Sequence, residues 1–124
     1  MSIRTLELHG EFPTLNEYIR AERGSCFAAA KMKKGWTAIV WAEALAQMLP
    51  PVQHYPVKIH CTWRMKDARK DLDNVRFGVK FVLDGLVAAK VLIDDGQQYV
   101  AGLSDSFMVD ALNPGVTVMI EEAE

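Results

Sequence analysis

The sequence predicts one α+β domain, a small mixed sheet of about four strands with two main helices packed on it, and three observations carry that reading. Val57–Met65 alternates Val57, Ile59, Cys61, Trp63 and Met65 with Lys58, His60, Thr62 and Arg64, the period of a half-buried strand. From Phe27 to Leu49 the residues Ala28, Met32, Trp36, Ile39, Val40, Ala44, Leu45 and Met48 recur at helical spacing, and Pro50–Pro51 ends the run. A second helix is expected to begin near Asp73 or Asn74, with Val75, Val79, Val82, Leu83 and Leu86 on its buried face.

The remaining elements follow in order. Ile3–His9 reads as a first strand stopped by Gly10 and Pro13, and Phe12–Tyr18 as a turn into a short helix. Ile93–Gly96 is a turn, Tyr99–Leu103 a third strand, and Val116–Ile120 a fourth after the turn at Asn113–Gly115. There is no internal repeat. The chain of 124 residues supplies one hydrophobic core, so residues 1–124 are read as one domain. Trp36 and Trp41 are expected in the core first and at an interface second.

Half of the residues are apolar and 24% are charged, an ordinary globular composition. No apolar run reaches the ~18–20 residues of a membrane span, and Met1–Glu11 lacks the apolar stretch of a signal peptide, so a cytoplasmic protein is expected. Cys26 and Cys61 are too few for a disulfide framework, and His9, His54 and His60 do not complete a zinc site. Each cysteine reads as a small buried hydrophobe. Net charge is −2, yet Arg64, Lys66, Arg69, Lys70, Arg76 and Lys80 crowd into residues 64–80, and Lys31, Lys33 and Lys34 form a second basic group. Acids gather elsewhere, at Glu7, Glu11, Glu17 and Glu22 and in the tail at Glu121, Glu122 and Glu124. A local basic stripe of this kind binds phosphates or is simply a solvated face.

Lys70-Asp71-Leu72-Asp73-Asn74 falls between the best strand and the second helix. Two carboxylates and an amide at a strand end suit a hard divalent cation, which takes oxygen ligands and keeps several waters. They also suit a helix cap, with Asp73 or Asn74 accepting the first free N–H groups. A second acidic pair, Asp94–Asp95, follows the helix at a turn and tilts the reading toward a metal site, with Asp-Gly turn chemistry as the alternative. Topology alone does not bring the two turns together. An EF-hand is excluded, because its required Gly and Glu positions hold Arg76 and Val82. No phosphate-binding Gly-rich loop or activated Ser or Cys is recognisable, which leaves a carboxylate-held metal activating water as the economical chemistry. Lys80 shares a helical stripe with Asp73 and Asp84. It either neutralises charge on a phosphate oxygen or pairs with Asp84, worth about 0.2–0.5 kcal/mol.

The segment KDLDNVRFGVKFVLDGLVAAKVLIDDGQQYVAGL resembles the core of the RusA-type Holliday-junction resolvases, a family common in phages and prophages, and EFPTLNEYIRAER resembles that family's N-terminal segment. The resemblance implies a small homodimeric endonuclease acting on four-way junctions and other branched DNA in recombination and repair. It implies Mg²⁺ as cofactor, with Mn²⁺ as a substitute. Asp71 and Asp73 match the aspartates of the first motif, Asp95 the third metal ligand, and Asp94 its neighbour with a lesser role. Lys80 matches the family lysine when aligned from Asp84 backwards, but it lies three residues further along than the family pattern, about 4.5 Å along a helix. Either Lys80 or Arg76 then serves the phosphate. Arg64, Lys66, Arg69, Lys70, Lys31, Lys33 and Lys34 are expected to hold flanking phosphates. The competing expectations are a nuclease of other branched-DNA specificity, a non-catalytic DNA-binding or assembly protein with a structural ion site, and an Asp-x-Asp metal-dependent transferase using a nucleotide donor, against which the short chain and the missing nucleotide-pocket signals count.

Overall fold

A computed structural model describes residues 2–123, so Met1 and Glu124 of the acidic tail lie outside the described residues. The chain order is β1 (Ile3–His9), α1 (Leu15–Gly24), α2 (Cys26–Ala46), β2 (Val57–Met65), α3 (Leu72–Arg76), α4 (Val79–Ala88), β3 (Val100–Val109) and β4 (Gly115–Glu121). This is the expected α+β class with a four-stranded mixed sheet, and among the described residues four helices stand where two main ones and a short one were expected. None of the described helices is long and apolar enough to cross a membrane.

Alternation decides which face of each strand is buried. Leu6 and Leu8 of β1, Ile59, Cys61 and Trp63 of β2, and Val116, Val118 and Ile120 of β4 turn to the helices and are almost fully buried. The strand order is β1-β4-β2-β3. β4 runs antiparallel to both its neighbours, with His9 opposite Gly115 and Gly115 opposite Arg64. β2 and β3 are parallel, from Val57 beside Val100 to Met65 beside Val109. A parallel pair needs a crossover, and α3 and α4 supply it. β3 is twice as long as the Tyr99–Leu103 strand expected, because Ser104–Val109 continues in register along β2. The helices cover one face only, and on the open face His60 hydrogen-bonds Ser104 (2.6 Å) and Ser106 (2.9 Å).

Local chemistry starts the first two helices. Thr14 caps α1 in a capping box with Glu17, and the Ser25 hydroxyl accepts the Ala28 N–H at 3.0 Å to start α2. The buried face of α2 differs from expectation. Ala29, Val40 and Ala44 are buried and Trp36 packs partly against Phe12, whereas Ala28, Ile39, Trp41, Leu45 and Met48 are exposed. Apolar residues fall on every side of the helix, so periodicity alone selects no face. Cys26, at its start, is exposed rather than buried.

The second predicted helix is broken. Gly78 passes so close to the Trp63 ring that a Cβ would sit 3.0 Å from it, and α3 ends there before α4 begins. Asp73 and Lys80 therefore stand on two helices rather than one. Val75 and Val79 are half-buried, and Phe81 replaces them in the core beside Val82, Leu83 and Leu86. Gly85 lets α4 approach α2, where a Cβ would lie 2.3 Å from Val40 Cβ.

A polar clamp closes one end. Glu122 accepts the Gln53 and His54 N–H groups and pairs with Arg4 at 2.9 Å, tying the end of β4 to the loop before β2. Those backbone bonds, and then Arg4, hold its carboxyl down from 4.5 to about 2. Because the folded value is depressed, the clamp stabilises fully above about pH 4.5 and is lost as pH falls toward 2. Thermal unfolding of Glu122→Gln should therefore fall below that of the parent at pH 7, and the two should converge near pH 2. Gly85→Ala should lose about 1–3 kcal/mol in urea unfolding, because overpacking against Val40 outweighs the roughly 1 kcal/mol of helix propensity gained.

Candidate metal centre

The six residues after β2 bring the chain to Asp71, at the cap position of α3. Its side chain makes no capping bond; its main-chain carbonyl instead accepts the N–H groups of Asn74 and Val75, both at 3.1 Å. Asp73 sits in the first turn. Both carboxylates are exposed, and among the described residues neither takes a hydrogen bond or ion pair. The helix-cap explanation of Asp71-x-Asp73-Asn74 thus accounts for no side-chain contact of either aspartate.

This end of the sheet is identified by its neighbours. Lys70 Nζ lies 3.5 Å from Glu11 and 3.6 Å from Glu17, just beyond the end of β1 where His9, Gly115 and Arg64 align. The second acidic pair lies at the other end. Ile93 N donates to Tyr55 Oη at 3.0 Å, Val52 N to Val91 O at 2.9 Å, and Val57 N to Tyr99 O at 2.8 Å, so residues 91–99 pack where β2 begins. A nine-residue strand rises about 26 Å from first residue to last. Asp71 and Asp73 follow the end of that strand, and Asp94 and Asp95 belong to the segment packed against its start. Among the described residues no three His, Cys, Asp or Glu side chains gather into a metal-holding group. The expectation of one site built from Asp71, Asp73 and Asp95 is not met within a single chain. Asp94 Oδ1 accepts the Asp95 N–H at 2.8 Å, which is turn chemistry, while the half-buried Asp95 carboxylate has no partner among the described residues.

The basic residues divide by their partners. Arg64 is corrected from a phosphate contact to a structural clasp: it is buried, donates to Leu8 O (3.1 Å), Asn113 O (2.9 Å) and Thr117 Oγ1, and pairs with Glu7 at 3.2 Å. Gly115, at φ +156°, makes room for this, since a Cβ there would meet Leu8 O at 2.1 Å. Arg76 Nε is bound to Asp105 at 2.8 Å, and Lys80 to Asp84 at 3.5 Å with Lys33 reaching the same carboxylate at 3.8 Å. Lys66 and Arg69 are exposed in the loop before Asp71, where Arg69 bonds only its neighbour Asp67. Lys31 and Lys34 are exposed on α2.

Asp105 has no acidic neighbour in sequence and no motif, and sequence reasoning missed it. It accepts Trp63 Nε1–H at 2.8 Å and the Arg76 bond together, fastening α3 over the inner face of β3. Only its regular position in a strand would have signalled it, and that strand was expected to end at Leu103. Cys61 is no nucleophile: burial first, then Asp105, pushes its thiol up to about 12.

Comparison with protein-family models and with curated proteins finds no match to this chain.

Asp105→Ala should cost about 1–3 kcal/mol in denaturant unfolding by stranding the Trp63 N–H, and Asp105→Asn clearly less, because an amide oxygen still accepts it.

Proposed function

We propose that the chain is a Mg²⁺-dependent endonuclease of Holliday junctions and other branched DNA, with Asp71 and Asp73 of one protomer and the partner's Asp95 as the carboxylates of each metal site. The observation that carries the reading is the pair of uncommitted, exposed carboxylates at Asp71 and Asp73 beside the exposed Lys66 and Arg69. Two carboxylates with open surroundings fit Mg²⁺, which keeps waters and takes phosphate oxygens rather than an all-protein cage. The likeness of Lys70–Leu103 to the RusA-type core supports the same choice. A bound Mg²⁺ supplies Lewis-acid activation of water and charge neutralisation on phosphate.

The chain's own residues do the positioning. Lys66 and Arg69 offer charge to phosphates flanking the cut, and Lys70 joins them by leaving its weak, exposed pairs with Glu11 and Glu17. Arg76 and Lys80 are both tied to carboxylates, so either one serves a phosphate only by exchanging partners. A symmetric dimer suits a two-fold substrate that needs two cuts.

A second reading, a DNA-binding protein without catalysis, is favoured by one observation: the three aspartates do not meet in one chain. A synthetic four-way junction and a linear duplex, each incubated with and without Mg²⁺, separate the two. The nuclease cuts the junction only with metal, and Asp73→Asn lowers the rate by at least about 100-fold, a metal ligand mattering no less than its outer-shell support. Binding without cleavage selects the second reading, and equal cutting of both DNAs removes junction specificity. Mixing inactive Asp73→Asn with inactive Asp95→Asn should restore about a quarter of the parent rate, since half the dimers are mixed and each carries one intact site. Sites contained within one chain would give none.

A further inference from the structure

The two edges of the sheet are treated differently. At β1, Gln47 plugs the edge: its Oε1 accepts the Glu7 N–H at 3.1 Å and its Nε2 donates to Glu7 O at 2.7 Å. Arg4 and Glu7 add charge along the same strand. These are the devices by which proteins keep a strand edge from pairing.

β3 has none of them. It runs ten residues, Val-Ala-Gly-Leu-Ser-Asp-Ser-Phe-Met-Val, without proline or lysine, and not one of its residues is buried. Its only substantial neighbour is β2, and among the described residues the one main-chain hydrogen bond it makes outside β2 is at its start, where Val100 N donates to Gly96 O at 2.9 Å. On the helix side Leu103 and Val109 are 43% and 51% exposed because no helix reaches over them; Met108 is similarly open on the other side. Its one charge, Asp105, is turned inward and neutralised by Arg76. A long, uncharged, half-apolar edge of this kind is a template for another strand.

We propose that β3 is a self-pairing interface: β3 of two copies align antiparallel about a two-fold axis, joining the two sheets into one of eight strands. Three features select a second copy as the occupant. Antiparallel self-pairing is isologous and consumes both bare edges, so the new sheet ends in two plugged β1 edges and growth stops at the dimer. Opposed Leu103 and Val109 side chains cover one another where the helix layer stops. Antiparallel alignment also sets the start of one β3 beside the end of the other. The partner's Asp94–Asp95 turn then arrives at the end of the sheet that carries Asp71 and Asp73, with a second such meeting about one strand length away, roughly 30 Å. That last consequence rests on the nuclease reading; the pairing itself does not.

The competing surface is the groove of about 640 Å³ between α2 and α4, lined by Lys33, Lys34, Thr37, Trp41 and Asp84. Light scattering after size exclusion, at micromolar concentration and without metal or DNA, tests the choice. The parent should have twice the 13.9 kDa chain mass, and Leu103→Lys/Val109→Lys should halve it while keeping parental circular dichroism, since both side chains are already exposed in the single chain. Trp41→Lys should remain dimeric. A monomeric parent, a dimeric β3 variant, or a monomer produced by Trp41→Lys alone overturns the proposal. Should the double variant not fold, hydrogen exchange on the parent decides: β3 amides should lose protection on dilution to nanomolar while β4 amides keep it, and equal protection at both concentrations overturns the pairing. The nuclease reading fails separately. A β3-paired dimer that never cuts DNA retires the nuclease and leaves the interface, whereas a cutting monomer retires the interface and the shared site while leaving metal-dependent cleavage.

Discussion

The parallel pairing of β2 with β3 is the constraint from which the rest of the arrangement follows. Two parallel neighbours cannot be joined by a tight turn, so the chain that leaves β2 at Met65 must travel the full length of the sheet before entering β3 at Val100. α3 and α4 are that journey. Everything placed just after β2 is therefore at one end of the molecule, and everything just before β3 at the other. Asp71 and Asp73 belong to the first group, Asp94 and Asp95 to the second. Had β3 run antiparallel to β2, the same acids would have shared one end within a single chain.

The end bearing Asp71 is held by contacts that come from far away in sequence. Arg64 is the strongest of these: a buried guanidinium with acceptors on β1, on β4 and in the turn between β3 and β4 locks three strand ends together. A buried Arg with its donors spent is costly to disturb, because any lost acceptor strands a charge away from water. The half-exposed Arg76–Asp105 pair contributes less as an ion pair than as a fastening, since solvent screens it. Trp63 serves both ends of that fastening, donating to Asp105 and forming the floor on which Gly78 breaks the helix.

Legibility in the sequence tracks how local the cause is. β2 was readable because one of its faces is buried and the other wet, which writes a period of two into the residues themselves. The Asp-x-Asp-Asn segment was readable as chemistry at an element boundary. The face of α2 was not, because apolar residues surround that helix and only the position of Gly85 on α4 picks out Val40. The break at Gly78 was not legible locally, and the ring packed against Gly78 belongs to a tryptophan fifteen positions earlier on a strand. Arg64 fell on the polar phase of β2 and so looked solvent-facing; the Leu8 and Asn113 carbonyls that bury it come from other elements. Whether Asp95 meets Asp71 depends on strand direction, which no local pattern encodes.

The bare edge and the divided acids are consequences of one fact, that β3 is both the last strand of the sheet and the partner of a parallel crossover. Its position at the edge leaves its main chain unpaired, and its direction leaves its acidic turn a strand length from the other aspartates. An antiparallel partner strand answers both deficits at once, whereas an extended peptide of unrelated sequence answers only the first. Assembly and metal binding are then the same event on the nuclease reading: a lone chain carries two carboxylates at one end and an idle turn at the other, and only the dimer gathers three. On that same reading, the enzyme would stay inactive on DNA until it had the two-fold symmetry that a four-way junction presents, and the geometry of the edge would also set where the chemistry is allowed.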